Sequence, residues 1–371
     1  MIITRSKSAT DSPNAISFHY PEGNDAGLSL PVGSILVSFL VSPINPQDLL
    51  VIAGRYPVKP SYDHDDEAVL GYDGVARVEA VGGESTSSSE RALSPGDLVI
   101  PRRHGLGTWR SRAFLNAADV IRLSPTSDLV GASLLRMAFL PAYLLVEDMR
   151  DLNPGDWIVQ NAGSGTIARL VAQFSRVRGC HTCSVVRDRD EDDLATLKVS
   201  LLGEGADAVI TESQLVALGA KSHPALASAS ASGRVVLAID AVFGEPGERL
   251  SSILSHGGTY VDYGSLGGAE GVVRLTQRLL FWSEVRFRNF RLSEQLGKRT
   301  PAQQESLLLW FQDLLARGTL VTPNVQEVQV PESAGDRGAF EEQVKDAVAS
   351  GGSEAAPRIG DAKRVLRYES V

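Results

Sequence analysis

Trp157-Ile-Val-Gln-Asn-Ala-Gly163-Ser-Gly165-Thr-Ile-Ala168 is the stretch on which the fold turns. A short apolar run, Trp157 to Val159, leads into a Gly/Ser loop, and an amphipathic stretch follows with Ile167, Leu170, Val171 and Phe174 on one face. Strand, glycine loop and helix in that order give the G-x-G-x-x-G/A spacing its meaning, with Ala168 in the last place. The pattern assigns Gly163 to a tight turn, Gly165 to the close approach of a pyrophosphate, and the small Ala168 to helix–strand packing. Free N–H groups at the helix N-terminus then attract the phosphates.

The surroundings repeat the rhythm. Upstream lies an apolar, helix-length stretch from about Leu129 to Met149, then the turn signal Asn153-Pro-Gly-Asp156. Downstream come strand candidates at 183–186, 207–211, 235–240 and 257–268, separated by helical or charged stretches. Strands alternating with helices predict a parallel, doubly wound α/β sheet. The first 120 or so residues read differently: 34–40, 68–82 and 97–101 are short strands cut by Pro and Gly, the pattern of a small β-rich unit. The polar run Gly83 to Arg91 reads as an exposed loop tip. An amphipathic helix is expected from Pro301 to Arg317, and the last 80 or so residues are expected to pack back on the first unit.

Composition removes several classes. At 371 residues, with 43% hydrophobic and 22% charged, the chain can bury a full core in two or three domains. The 36 basic against 45 acidic residues lack the excess that general nucleic-acid binding requires. The apolar stretch Ala132 to Val146 is interrupted by Arg136 and Pro141 and is shorter than the roughly 20 residues of a membrane span. No apolar signal region accompanies Arg5 and Lys7, so an intracellular protein without a membrane is expected. Two cysteines make no disulfide framework. Cys180 and Cys183 begin a predicted strand, where three-residue spacing sends them to opposite faces, which disfavours a redox or zinc pair. The six histidines show no ligand spacing, and no G-x-S-x-G elbow appears. No metal site is expected.

The residue after the second strand of such a fold selects the nucleotide. Here it is Arg187, followed by Asp188 and Arg189. Guanidinium groups at this place favour a ribose 2′-phosphate and hence NADPH, whereas a solvated charge run is the plainer alternative.

These blocks converge on a family. The chain resembles the zinc-free branch of the medium-chain dehydrogenase/reductase superfamily, and within it the mitochondrial 2-enoyl thioester reductases. The likeness rests on Ile44-Asn-Pro-Gln-Asp48 with Ala53-Gly-Arg-Tyr-Pro57, on Gly105-Leu-Gly-Thr-Trp-Arg110, and on Val159-Gln-Asn-Ala162. It continues in Val185-Val-Arg-Asp-Arg189, Tyr263-Gly264 and Phe287 to Leu292. The resemblance implies NADPH-dependent reduction of trans-2-enoyl thioesters carried on acyl carrier protein or coenzyme A, usually by a homodimer. It implies a GroES-like β-rich catalytic domain over 1–140 and 293–371, and a Rossmann doubly wound NADPH-binding domain over 141–292.

By the same resemblance Tyr56 is the catalytic tyrosine. Cofactor contacts fall on Gly163, Ser164, Gly165, Thr166 and Ile167, on Arg187, Asp188 and Arg189, and on Tyr263, Gly264, Ser265 and Leu266. Phe290, Arg291, Leu292 and the near-terminal Lys363 complete them. Tyr56 also fits a plain turn tyrosine beside Pro57, and Trp109 fits an acyl-pocket wall or a core residue. Asp48 reads as a brace for the loop from Asn45 to Tyr56. Arg102, Arg103, Arg110 and Arg112 suit an anionic carrier or ordinary surface arginines.

The chain departs from the family pattern in several places. The nucleotide loop lacks the expected asparagine–serine–glycine run, Ala168 replaces its closing glycine, Ala138 stands at a family asparagine, and Phe290-Arg291 replaces an aromatic pair with loss of its tryptophan. A quinone or alkenal reductase of the same superfamily, and a nucleotide-binding regulator without catalysis, are the alternatives. The resemblance implies a mitochondrial protein, with the cytoplasm as the alternative because no clear presequence is seen.

Overall fold

Six parallel strands carry the nucleotide-type half of the molecule. They are β1 (Trp157–Gln160), β2 (His181–Val186), β3 (Ala208–Thr211), β4 (Val235–Asp240), β5 (Thr259–Asp262) and β6 (Arg286–Asn289). Their order is β3-β2-β1-β4-β5-β6, so the sheet grows in one direction from β1 and then in the other. Helix α1 (Thr166–Val177) links β1 to β2, and α2 (Glu191–Gly203) links β2 to β3. Every residue of β1, β3 and β4 is buried, which is why these strands read as unbroken apolar runs rather than alternating ones.

The computed structural model describes residues 1–7, 15–21, 30–56, 58–83, 92–268, 270–331, 333–352 and 363–368. The expected loop tip at 83–91 lies outside these residues after Gly83. The chain divides into two units. The first comprises Met1–Met137, Leu308–Gln312 and Asn324–Val371; the second comprises Ala138–Leu307 and Asp313–Pro323. The α/β unit therefore extends past the expected boundary at 292. Residues 293–307 belong to it, because Leu292–Gly297 and the start of Pro301–Ala316 are tied to it, for example through the Arg299–Asp148 ion pair at 2.6 Å.

The first unit is built on a seven-stranded sheet. Its strands run Val325–Gln329, Lys363–Arg367, Ser34–Pro43, Val75–Val81, Leu98–Pro101 and Val120–Arg122, with Arg112–Asn116 also paired to Ser34–Pro43. The near-terminal strand lies antiparallel to Ser34–Pro43, with Val365 opposite Pro43, so the end of the chain enters the same sheet as its start. Ile35, Val37, Phe39, Tyr72, Trp109 and Leu366 form the centre of its core.

The apolar stretch expected as a helix from about Leu129 to Met149 is helical over nearly that span. It runs helically from Leu129 to Glu147 because a wide π turn at Leu135–Phe139 absorbs the irregularity and Pro141 sits in the first turn of the next helical segment. By length and composition this helix qualifies as a membrane span, but it is 83% buried within the protein, which accounts for its apolarity. The two cysteines are buried thiols; burial raises Cys180 and pushes Cys183 up to about 12, so neither is a ready thiolate.

Candidate active site

The second unit gathers most of the expected cofactor residues along one edge. Ser164 to Ile167 follow β1, Arg187 to Arg189 follow β2, Tyr263 to Leu266 follow β5, and Phe290 to Leu292 follow β6. All four groups stand at the carboxyl ends of parallel strands, on both sides of the point where the sheet reverses its direction of growth, which is where such sheets bind ligands.

The loop after β1 does this through its backbone. Gly165 caps α1 without a side chain, and the first intrahelical bond is Arg169 N–H to Gly165 C=O at 3.0 Å. The amides of Thr166, Ile167 and Ala168 thus have no partner within the helix, and a Ser or Asp cap would occupy one of them, at Ile167 or Ala168. An added Cβ at Gly165 would meet only the Ala162 carbonyl, at 3.1 Å, so the outer side of the loop is open to a phosphate.

Gly163 serves differently from the tight-turn role expected of it. The left-handed residue here is Ala162, at φ 46°. A Cβ on Gly163 would lie 2.8 Å from Ser184 Cβ and 2.9 Å from the Val185 carbonyl, so this glycine lets the loop lie flat against β2. Below it, Asn161 is wholly engaged, accepting from Ala241 N–H at 2.8 Å and donating to Asp240.

At the end of β2, Arg187 and Arg189 are partly exposed. Asp188, expected as a cofactor contact, instead accepts from Ser213 N–H at 3.1 Å and Ser213 Oγ at 2.9 Å, and these bonds hold its carboxyl below the usual range. The acidic group is spent on the start of the helix Glu212–Leu218, so it serves the scaffold.

The loop after β5 is laced to the end of β4. Tyr263 N–H donates to the Asp240 carbonyl at 2.9 Å and Leu266 N–H to the Ala241 carbonyl at 3.0 Å. A Cβ on Gly264 would meet the Ala241 carbonyl at 2.9 Å, so only glycine allows that approach. Phe290 N–H donates to the Asp262 carbonyl at 2.7 Å, which fixes the chain after β6 beside the chain after β5. Phe290 is buried, Leu292 opens the helix Leu292–Gly297, and Arg291 is exposed, 3.8 Å from Glu294.

Tyr56 and Lys363 belong to the first unit, and their surroundings are polar and buried. Tyr56 follows the helix Pro46–Ile52 and stands edge-on to Tyr72, with ring centroids 5.6 Å apart. Asp48, wholly buried, accepts from Asn45 N–H at 2.7 Å, so it braces the helix start, and desolvation pushes its carboxyl up to about 7. Asp73 is equally buried and accepts from Gly74 and Met137 N–H groups, both at 3.1 Å; burial again lifts it to about 7.

Two cations answer these carboxyls. Lys363 Nζ donates to the Ile44 carbonyl at 3.3 Å; burial draws it down to about 8 while Asp48 and Asp73 pull upward. Arg136, 5% exposed on the π turn, donates to neutral acceptors: the Arg102 carbonyl at 3.2 Å, His104 Nδ1 at 3.4 Å and Met137 Sδ at 3.5 Å. Burial and the adjacent guanidinium drive His104 down to about 3, so its ring is neutral. Burial raises Tyr56, Arg136 pulls it back and Asp48 pushes it further up, so the phenol is a neutral donor.

Sequence reasoning missed Asp73, His104 and Arg136. The signal for Arg136 was present, a lone arginine in an apolar helix, but it read as an interruption. Trp109 is 0% exposed, with Nε1 donating to the Pro43 carbonyl at 3.3 Å. It is a core residue, and its ring offers no face to a pocket. The four arginines considered for a carrier are occupied within their own unit. Arg110 is buried and bonds the Leu106 carbonyl at 3.0 Å, Arg103 pairs with Asp119 at 3.1 Å, Arg112 pairs with Glu79, and Arg102 holds the Ala118 carbonyl at 3.0 Å.

No family model matches the chain. A human mitochondrial enoyl-acyl-carrier-protein reductase is 34% identical over 294 residues, covering 79% of this chain and 74% of that protein. The protein of the same name from Arabidopsis thaliana is 32% identical over 263 residues, covering 71% of this chain and 65% of that protein. A mitochondrial 2-enoyl thioester reductase heterodimer from Candida tropicalis has a similar fold, with TM-score 0.80 at 24% identity over 99% of this chain and 98% of that one. By sequence and by fold, this chain belongs to the family of the mitochondrial enoyl-acyl-carrier-protein reductases.

Proposed function

We infer that the protein reduces trans-2-enoyl thioesters to saturated acyl thioesters with NADPH, in mitochondria. Kinship to the enoyl reductases carries this reading, supported by the phosphate-ready loop at the head of α1. The related Etr1p has been solved with NADP and crotonyl-CoA, an enoyl thioester.

The residues present suit NADPH. Open amides at Thr166 and Ile167 receive the pyrophosphate, and Arg187 with Arg189 receives the 2′-phosphate, the carboxylate of Asp188 being turned to Ser213. The loops at 263–266 and 290–292, fixed by the backbone bonds of Tyr263 and Phe290, orient the nicotinamide end. When bound, NADPH supplies the hydride that adds to the β-carbon of the substrate.

The chain's own chemistry is then to handle negative charge and a proton. Addition at the β-carbon drives electron density into the thioester as an enolate, and a proton must reach the α-carbon. Tyr56 donates this proton or a hydrogen bond to the developing oxyanion. Arg136, a buried cation bonded only to neutral acceptors, favours negative charge on and near that hydroxyl. Asp48 and the Pro46–Ile52 helix hold the Tyr56 loop. Lys363, beside Asp48 and Asp73, balances their charge and is the first unit's candidate contact to the cofactor.

A homodimer is the proposed assembly. β6 pairs with β5 on one side, and among the described residues its other edge has no strand. Phe281 and Trp282, 65% and 68% exposed, stand on the π turn that leads into it. An open sheet edge beside exposed aromatics suits a second copy of the chain. Acyl carrier protein and coenzyme A are both candidate carriers.

The test follows NADPH absorbance with a medium-chain trans-2-enoyl-CoA and, separately, with a quinone. Oxidation that requires the thioester supports the reading. Oxidation with quinone alone, or with neither, overturns it.

A further inference from the structure

Two hairpins of the first unit bring together imidazoles that are distant in sequence. His19 closes the strand Ile16–His19, paired with Ile2–Arg5, and His64 closes Asp63–His64, paired with Glu67–Ala68. Their rings meet edge to face with centroids 4.7 Å apart. One ring nitrogen of each, together with a carboxylate oxygen of Asp65, lie within 4.8 Å of one another.

The turn between His64 and Glu67 sets this up. Asp65 and Asp66 occupy its two central positions with φ of 51° and 59°, the left-handed pair that a two-residue hairpin demands and that Asp tolerates. That geometry leaves Asp65 Oδ2 3.8 Å from His64 Nε2 and sets Glu67 opposite His64 in the register. Glu67 Oε2 stands 3.4 Å from His19 Nε2 and accepts from Thr4 Oγ1 at 2.5 Å, while its Oε1 accepts from Lys7 N–H at 3.0 Å. Lys7 Nζ pairs with Asp66 at 3.2 Å and leaves Asp65 to the histidines.

We propose that His19, His64 and Asp65 form a binding site for a divalent transition ion of the zinc class, with Glu67 fixing the His19 ring. Metal–donor bonds of about 2.0–2.2 Å in a tetrahedral shell place donors roughly 3.3 Å apart, so side-chain rotations of about an ångström close the site without moving the backbone. Two imidazoles with a carboxylate suit zinc, copper or nickel, whereas magnesium and calcium require oxygen shells. Glu67 supplies the carboxylate that metal-bound histidines use to set tautomer and ring orientation. The ion would clip the N-terminal hairpin to the 63–68 hairpin. None of its ligands belongs to the group around Tyr56, so the inference does not depend on the reductase reading.

The test titrates zinc into the chelator-stripped full chain by calorimetry and follows cobalt(II) by its visible absorption. Saturation at one ion per chain is expected. His19→Ala and His64→Ala are each expected to weaken zinc binding at least about tenfold, a loss of the size seen when metal-site residues are removed. Asp65→Asn, at an exposed turn position, weakens it several-fold and keeps the test valid if a histidine variant fails to fold. His181→Ala, at a remote histidine paired with Asp207, leaves binding unchanged. No saturable binding by the wild-type chain, or unaltered binding in all three site variants, overturns the proposal.

Discussion

The nucleotide edge of the second unit and the polar group of the first are made in opposite ways. The edge works through backbone: amides at the head of α1, and glycines at 163 and 264 that allow close approach to neighbouring carbonyls. The first unit works through side chains, with Asp48, Asp73, Arg136, Lys363, Tyr56 and Tyr72 assembled from positions 48 to 363. A backbone site is encoded locally, by residue spacing within one loop. A side-chain site buried in a β-rich unit is encoded by topology, and each of its charges depends on the others. The first should tolerate side-chain changes at its open positions; the second should react strongly to the loss of any one charge.

The largest expected effect is on turnover. Tyr56→Phe should lower kcat by about 10²–10⁴-fold, the range for a positioned proton donor, with NADPH affinity nearly intact by fluorescence titration. A variant with wild-type turnover would remove Tyr56 from the chemistry and reduce the first unit's polar group to scaffolding.

Next comes stability. Arg136→Met removes one of the two cations near the buried Asp73 and should cost up to about 3–5 kcal/mol in denaturant unfolding, with Arg136→Lys recovering part of it. A loss below about 1 kcal/mol would mean the buried charges do not depend on one another. On the nucleotide side, Arg187→Asp should weaken NADPH by roughly 10–100-fold and NADH far less, as expected for a lost charge-assisted hydrogen bond. Equal losses would place 2′-phosphate recognition elsewhere.

The last effect is gradual, a slope with pH. Asp48 and Asp73 titrate near 7 in the folded chain and near 3.8 when unfolded, so the folded state holds the extra protons between those values. Stability should therefore fall as pH rises from about 4 to about 7, the reverse of a salt-bridged carboxylate. Lys363, lowered to about 8, acts in the other direction, adding stability as pH rises from about 8 toward 10.5. Thermal unfolding of Asp48→Asn across pH 4–7 should show a shallower decline than the wild type. Parallel curves would mean that Asp48 is not a strained carboxyl.

The same contrast explains what was legible in the sequence. Trp157 to Ala168 announced its strand, loop and helix because glycine spacing and amphipathic period are local signals, and the parallel sheet followed from alternation. The role of Gly163 was misassigned because its constraint comes from β2, a neighbour that spacing does not reveal. Asp188 lay in the right block, but its partner Ser213 is 25 residues away. Asp73, His104 and Arg136 were invisible as a group, since only the folded sheet and the π turn bring them together. Trp109 showed its size and not its burial. His19 and His64, 45 positions apart, had no spacing to betray them.

We propose a division of labour, with nucleotide binding at the second unit's sheet edge and proton handling at Tyr56 in the first. A double-mutant cycle on kcat/KM for NADPH with a trans-2-enoyl-CoA, using Tyr56→Phe, Arg187→Asp and the double variant, tests it most directly. Independent roles predict losses that multiply, so the free energies add to within about 0.5 kcal/mol. A double variant no worse than either single one would show that the two residues act as one device, and the division would not stand.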